Sequence, residues 1–262
     1  MNLVVCVKQV PNTTEIRIDP VTNTLIREGV ESVLNPFDAY AIEEAVRLKD
    51  KYGGTVTALC MGPPQAEETL REAVSLGVDN IILLSDRRFA GADTWATSLT
   101  LAAAIKKIGE VDLILTGQQA TDGDTAQVGP GVAAHLQIPQ TCFVRHIEEV
   151  TSCNITLQRL MEDGYDRVRI KLPAVISVVK EINVPRLPSL RGKRNARAAE
   201  LKVWNSEDLG LDEKDIGLNG SPTQVVNIFT PKHDKVTEKF AGHAEEAVEK
   251  IVVRLHELTR RG

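Results

Sequence analysis

The sequence has 262 residues, 42% of them hydrophobic, which suits one large α/β domain with appendages. A formal net charge of −5 argues against a general nucleic-acid binder, which would carry a basic excess. No apolar run approaches the roughly 20 residues of a membrane span, and no basic leader is visible, so we expect a cytoplasmic protein. The four cysteines and five histidines show neither CxxC nor paired ligand spacing, so we expect no metal site.

Short apolar runs in the first half of the chain are typical of buried strands. These runs are residues 3–7, 55–61, 80–84 and 111–116. Between the first two, residues 16–28 carry apolar side chains around Asp19-Pro20, a pattern that predicts a hairpin excursion.

Amphipathic helices are predicted between these strands. The first has Asn35 as its N-cap, Pro36 at its first position and Asp38 in its first turn, and it stops at Gly53. The others are expected over residues 64–76, from the cap Asp93 to Gly109, and over 128–136. Trp95 lies on the apolar stripe of the third helix, so we interpret it as a core residue. The alternation predicts a doubly wound, mostly parallel sheet of the Rossmann type with helices on both faces.

A different pattern begins after residue 138. Residues 155–160 and 167–170 predict an antiparallel hairpin, and residues 174–179 predict one more buried strand. Residues 183–200 are rich in basic side chains with little apolar periodicity, and we expect an extended, exposed segment there.

The C-terminal part carries few signals until its last helix. Residues 205–235 show no clear period, whereas 244–258 predict an amphipathic helix. We therefore expect an α/β nucleotide-binding domain over residues 1–203 and a C-terminal arm with a helix over 204–262.

Four loops hold the candidate chemistry, because ligands of open parallel sheets bind beyond the carboxyl ends of the strands. They are residues 6–11, 60–64, 86–94 and 116–130. In the last of them Gly117 and Gly123 free the backbone for close approach, and Asp124 and Gln127 have the spacing of a capping box. Amide groups left uncapped at the start of the following helix would offer a site for phosphate.

The start of that helix is constrained by Pro130, which is awkward in a helix interior. We therefore expect the helix to begin near Gln127 and residues 122–126 to face a ligand. An ordinary turn and cap is the alternative, as it is for Asn35 and Asp38. The loop contains neither GxxxxGKS/T nor GxGxxG, and no serine–histidine–aspartate order or nucleophile elbow is visible in the chain.

Six ordered blocks closely resemble electron transfer flavoprotein beta subunits. They are Cys6-Val7-Lys8-Gln9-Val10-Pro11, Asn35-Pro36-Phe37-Asp38, Met61-Gly62-Pro63, the loop Thr-Gly-Gln-Gln-Ala-Thr-Asp-Gly-Asp-Thr-Ala-Gln-Val-Gly at 116–129, Lys171-Leu172-Pro173-Ala174-Val175, and Pro185-Arg186 followed by Leu190. The resemblance runs from the first strand to about residue 203 and includes the last helix.

The resemblance implies an adenine nucleotide alpha hydrolase-like domain that holds FAD, or AMP in non-bifurcating members. The site residues that it implies are Cys6, Asn35, Pro36, Phe37, Asp38, Met61, Gly117, Gln118, Asp122, Gly123, Asp124, Thr125, Ala126, Gln127 and Val128. Such beta subunits work with an alpha subunit that carries the main FAD, and the C-terminal arm and helix would pack on that subunit.

The loop at residues 86–94 is similar to that of the electron-bifurcating subgroup. Its Phe89, Gly91, Asp93 and Thr94 would then lie near flavin or NAD. Members of this subgroup oxidise NADH at the beta flavin and send one electron to ferredoxin or flavodoxin. The other electron passes through the alpha flavin to an acyl-CoA or lactate dehydrogenase. The alternative within the family is an AMP-binding subunit for plain electron transfer.

Residues 183–200 resemble the family's partner-recognition loop. Leu190 would be the apolar anchor, surrounded by the charges of Arg186, Arg191, Lys193 and Arg194. An alternative of another class is a stand-alone ATP-binding domain of the universal-stress type, in which this loop would have no purpose.

Overall fold

The computed structural model describes residues 1–12, 32–226, 237–240 and 242–259. The chain divides into two compact units, Met1–Val226 and residues 227–262. The hairpin excursion predicted at residues 16–28 lies outside the described residues.

The first unit alternates strands and helices in its amino-terminal half. In chain order these elements are β1 (Asn2–Val7), β2 (Gln9–Pro11), β3 (Ser32–Leu34), α1 (Pro36–Tyr52), β4 (Thr55–Met61), α2 (Glu67–Ser75), β5 (Asn80–Leu84), α3 (Thr94–Ile108), β6 (Leu113–Gly117) and α4 (Val128–Leu136). The second half contributes β7 (Gln140–Val150), β8 (Asn154–Met161), β9 (Gly164–Lys171), β10 (Ala174–Val178), α5 (Leu190–Ala198) and β11 (Leu201–Trp204).

One large sheet organises this unit, with the strand order β11-β5-β4-β1-β6-β10-β7-β8-β9. The strands from β11 to β7 pair in parallel, whereas β8 and β9 add antiparallel strands beyond β7. The chain winds outward in one direction through β4 and β5 and then returns to the other side of β1 as β6. The predicted doubly wound, mostly parallel sheet with an antiparallel extension is confirmed.

Both faces of the sheet are buried, which explains the continuous apolar run of β1. Leu3 and Val5 pack in the layer that includes α1 and α2, whereas Val4 and Cys6 pack in the layer that includes α3 and α4. Because side chains alternate between the faces of a strand, β1 contributes to both layers.

Helix α5 occupies residues 190–198 of the segment that was expected to be extended, whereas residues 183–189 have no regular structure. Ser189 Oγ accepts a hydrogen bond from the Gly192 amide at 2.9 Å and so caps the helix. A Cβ atom on Gly192 would lie 2.1 Å from the Ser75 carbonyl oxygen, so α5 packs closely on the end of α2. Arg71 of α2 also donates to the carbonyl of Ala196 at 2.5 Å. The helix is held by these contacts rather than by an apolar stripe, so periodicity did not indicate it.

Two strands of the large sheet were also not predicted. Strand β7 has register irregularities against β8, and its half-buried side chains give no clean alternation. Strand β11 pairs in parallel with β5 and forms an edge of the sheet. The first unit then continues past the boundary expected at residue 203, because Ser206 bonds to Asp86 and Ile216 is buried in the second layer.

The C-terminal helix, α6 (Ala244–Thr259), forms as predicted. Its apolar side chains are exposed; among them are Val248, Ile251, Val252 and Leu255. Within the described parts of the chain, no helix combines the length and apolar character that a membrane crossing requires.

Candidate functional site

The candidate site lies where β1 and β6 run side by side. The last residues of the two strands are paired, with Cys6 opposite Thr116. The chain adds strands on one side of β1 up to β5 and on the other side from β6 onward. Such a switch point leaves a crevice beyond the carboxyl ends of the strands. The loops that follow β1 and β6 and the first turn of α1 meet here.

Asp38 joins these three elements at the base of the crevice. Its carboxylate accepts hydrogen bonds from the backbone amides of Lys8, at 2.8 Å, and of Gly117. Burial raises the pKa of Asp38 to about 7, although hydrogen bonds from Asn35 and from these two amides act in the opposite direction. With both sides of its carboxylate in use, Asp38 serves to hold the strand ends and α1 together.

A glycine is required at position 117 because the backbone there lies very close to the start of α1. A Cβ atom at this position would lie 2.4 Å from Asp38 Oδ1 and 2.7 Å from the carbonyl carbon of Phe37. Any side chain here would therefore push the start of α1 away from β6. The adjacent Phe37 and Gln118 are half-buried at the rim.

Asn35 occupies the N-cap position of α1, but its side chain does not cap that helix. Instead its Nδ2 donates to the Gln119 carbonyl at 2.9 Å, and its Oδ1 accepts from the Thr121 amide at 3.2 Å. The prediction of an ordinary cap is wrong in this respect, because the side chain bonds to the loop after β6. Asn35 thereby fixes that loop, while Pro36 begins the helix as expected.

The acidic side chains of the loop are paired with neighbours. Asp122 forms an ion pair with Lys8 at 2.7 Å, and Asp124 accepts from Gln119 Nε2 at 2.8 Å. The capping box expected between Asp124 and Gln127 does not form, and none of the described side chains caps α4. Lys8 and Gln119 were not singled out by sequence reasoning, because a lysine or glutamine in a loop is an ordinary surface residue.

The backbone of the loop turns twice before α4. The Asp124 amide donates to the Ala120 carbonyl at 2.9 Å, which closes the first turn. Asp124 and Ala126 have positive φ values of 50° and 55°, and Gln127 follows in the right-handed region. The left-handed Ala126 followed by the right-handed Gln127 forms a concave nest of amides that suits an anion, next to the uncapped start of α4. Gly123 does not itself adopt a positive φ, yet no atom lies within 4 Å of where its Cβ would stand, so the loop is open there. Thr125 is exposed beside it.

The start of α4 agrees with the sequence. The helix begins at Val128, so Pro130 lies in its first turn, where a missing amide hydrogen is tolerated. Residues 122–125 are exposed, as expected of a segment that faces a ligand.

The two cysteines beneath the crevice are packing residues. Burial raises the pKa of Cys6 and of Cys60 to about 12, so neither thiol is poised as a nucleophile. Met61 is partly buried against the same layer as Cys6. Among the described residues, no group of three or more histidine, cysteine or acidic side chains could hold a metal ion.

The loop at residues 86–94 is held by packing and hydrogen bonds to neighbouring segments. Phe89 is only 4% exposed and packs in the core, which removes its ring from the crevice. Gly91 has a φ of 74° and packs near Leu218. Asp93 caps α3 with one carboxylate oxygen and accepts from the Thr223 hydroxyl with the other, at 2.8 Å; Thr94 begins the helix.

Trp95 is not a core residue, because 55% of its surface is exposed. Its ring meets that of His135 on α4 edge to face, with centroids 4.6 Å apart. Trp95 is the second residue of α3, and its side chain lies outside the core. Helical spacing alone does not indicate this.

The segment around α5 exposes apolar side chains. Leu190 is 89% exposed, as expected, and sequence reasoning missed Leu187, which is 88% exposed, and the exposed Val184. A leucine between prolines in an aperiodic segment was the available signal. Arg191, Lys193 and Arg194 are exposed on α5.

Arg186 does not belong to the ring of free charges expected around Leu190. Its Nε donates to the buried Glu43 at 2.8 Å, and its Nη2 reaches Asp50 at 3.2 Å. The expectation was incorrect because both acidic partners lie on α1, far from Arg186 in the sequence.

Comparison with known proteins agrees with this geometry. Residues 22–209 match the electron transfer flavoprotein domain. Beta subunits of electron transfer flavoproteins from Thermoanaerobacterium thermosaccharolyticum and Clostridium acetobutylicum are 49% and 48% identical, each over 98% of both chains. The caffeyl-CoA reductase-Etf complex subunit CarD of Acetobacterium woodii is 51% identical over 88% of both chains. The chain thus belongs to the electron transfer flavoprotein family, with the beta subunits as its relatives.

Proposed function

We propose that the crevice between β1 and β6 holds the adenine-containing cofactor of a heterodimeric electron transfer flavoprotein. The observation that carries this proposal is the amide nest that Ala126 and Gln127 form beside the uncapped start of α4. Backbone amides at a helix start bind phosphate without a charged side chain. The open space at Gly123 leaves room for that group to approach the backbone.

The remaining residues of the crevice would hold and enclose the nucleotide. Asn35 keeps the loop after β6 in place through its two hydrogen bonds, and Lys8 closes the loop over the crevice by pairing with Asp122. The proposed contacts are Cys6, Pro36, Phe37, Met61, Gly117, Gln118, Thr125 and Val128 together with the nest. Asp38 acts beneath them as the tie between strands and helix.

The cofactor that we propose is FAD, with AMP as the alternative. Bound FAD would supply the redox chemistry, taking electrons from NADH and passing them singly to ferredoxin or flavodoxin and to the FAD of an alpha subunit. The protein's part is to bind, orient and shield the cofactor. The resemblance of residues 86–94 to the bifurcating subgroup supports FAD, although the buried Phe89 gives that loop a packing role.

Two exposed apolar surfaces support the proposed partners. The apolar stripe of α6 suits packing on an alpha subunit, because an amphipathic helix without a covered face is incomplete alone. Leu190, with the basic side chains of α5 around it, suits docking to a dehydrogenase that acts on acyl-CoA or lactate. The name of the Acetobacterium woodii relative, a subunit of a caffeyl-CoA reductase complex, supports the acyl-CoA class.

Cofactor analysis of the heterodimer tests the proposal. The chain is co-expressed with the alpha subunit of its organism, and the nucleotides released on denaturation are identified and counted. Two FAD molecules per heterodimer would support the FAD-binding subunit. One FAD and one AMP per heterodimer would refute bifurcation and support plain electron transfer. A single FAD with no second nucleotide would refute the crevice as a cofactor site.

A further inference from the structure

Glu43 is a buried carboxylate on α1 that lies outside the crevice. It accepts three hydrogen bonds from Arg186, from the backbone amide at 3.1 Å, from Nε at 2.8 Å and from Nη2 at 3.4 Å, and one from Arg47 Nε at 2.6 Å. Burial acts to raise the pKa of Glu43, but the bonds from Arg186 and Arg47 outweigh it and lower the pKa below its usual value. Glu43 is therefore a charged group whose main partner is the segment that leads into α5.

A second tether lies three residues earlier. Asn183 Nδ2 donates to the Tyr40 carbonyl and to Glu44 Oε2, each at 3.0 Å. Asn183 and Arg186 are thus both tied to α1. On the far side, Gly192 packs against the end of α2. The stretch between these attachments is held at both ends.

The side chains between the attachments are the most exposed apolar residues of the segment. Leu187 and Leu190 are nearly fully exposed, so packing of their own side chains does not fix them. Their position must come from the backbone, and the backbone is held by hydrogen bonds to α1 and by the seat of α5. A segment held in its binding conformation loses less conformational entropy when a partner binds.

We propose that Glu43 is a positioning residue for partner docking, which holds the backbone at Arg186 so that Leu187 and Leu190 are presented in a fixed arrangement. The inference rests on the docking role proposed above for Leu190. It changes the role of Arg186 from a steering charge to a tether, and it adds Leu187 to the docking surface.

The experiment compares Glu43→Gln with Asp50→Asn in the full-length heterodimer. Both changes remove one carboxylate partner of Arg186, but Asp50 is exposed and bonds only to the end of the guanidinium. Hydrogen exchange of the peptide that contains Arg186 is measured first. Kinetics follow, with an acyl-CoA dehydrogenase of the same organism as the electron partner.

Glu43→Gln should speed exchange at the Arg186 amide about tenfold and raise the KM for the dehydrogenase about fivefold, with kcat and cofactor content unchanged. Asp50→Asn should change neither quantity by more than about twofold. Arg186→Gln removes the guanidinium bonds to Glu43 but keeps the backbone amide bond, so it should shift exchange and KM in the same direction by a smaller factor, and it serves if Glu43→Gln does not fold.

A wild-type exchange rate at the residue 186 amide in Glu43→Gln, or in Arg186→Gln where that variant replaces it, would overturn the tether. A raised KM in Leu190→Ala with a normal KM in Glu43→Gln would overturn the positioning role alone. A normal KM in Leu190→Ala would instead refute the docking function on which the inference rests.

Discussion

Replacing Gly117 with alanine should destabilise the chain, because the added methyl group would clash with the start of α1. The added methyl group would stand 2.4 Å from Asp38 Oδ1, 2.7 Å from the carbonyl carbon of Phe37 and 2.8 Å from Phe37 Cβ. Two of these three atoms belong to Phe37, in the first turn of α1, and the Asp38 carboxylate is held by the Lys8 amide. The steric clash can therefore be removed only by a shift of α1 and not by rotation of one side chain.

Overpacking of this kind costs about 1–3 kcal/mol. Because a domain of about 200 residues loses roughly 2–4 °C in Tm per kcal/mol, Gly117→Ala should lower Tm by about 2–12 °C. Thermal and urea unfolding of the full-length chain, followed by circular dichroism, measure this difference.

Gly123→Ala is the matched control for stability. It adds the same methyl group to the same loop, but no atom lies within 4 Å of that position. Its unfolding should be within about 0.5 kcal/mol of wild type, as for other surface changes. Equal stability of the two variants would refute the argument that close approach at Gly117 holds α1 against β6.

Gly123→Ala should nevertheless weaken nucleotide retention, because the methyl group would occupy the open approach to the amide nest; unchanged cofactor content after gel filtration would move the phosphate site elsewhere. Asp38 should make stability depend on pH: its pKa of about 7 in the folded chain lies above its ordinary value, so its contribution is fully present below about pH 4 and is lost as the pH rises to 7. The stability of wild type relative to Asp38→Asn should therefore fall between pH 4 and 7 in urea unfolding and level off above, and a flat difference would contradict the buried carboxylate. Leu190→Ala should raise the KM for the partner dehydrogenase about tenfold or more with cofactor content unchanged, since it removes a nearly fully exposed anchor.

The sheet could be predicted from the sequence because its signals are local. Leu3, Val4 and Val5 are consecutive, apolar and buried, as a strand covered on both faces requires. The glycine-rich loop was expected after β6, and the order of strands brought it next to β1. What local signals could not reveal is the conformation of that loop: the positive φ values fall on Asp124 and Ala126, neither of which is a glycine.

Errors arose where a contact spans a long stretch of chain. Arg186 is 143 residues from Glu43, and nothing near Arg186 in the sequence distinguishes a tethered arginine from a free one. Helix α5 depends on a glycine that fits against the carbonyl of Ser75, a contact without periodicity. Trp95 has helical spacing but stands outside the core, where it meets His135. Tertiary contacts decided each case.

Helix α1 connects the candidate cofactor crevice, through Asp38, with the proposed docking segment, through Glu43. Asp38 and Glu43 are separated by only about 7.5 Å along its axis, at 1.5 Å per residue. If the amino-terminal turn of α1 shifts and the helix moves as one rigid unit, the α1 groups that bind Asn183 and Arg186 shift with it. A substitution that shifts the whole of α1 should therefore affect both cofactor binding and docking, whereas one that breaks only a contact of Glu43 should affect docking alone.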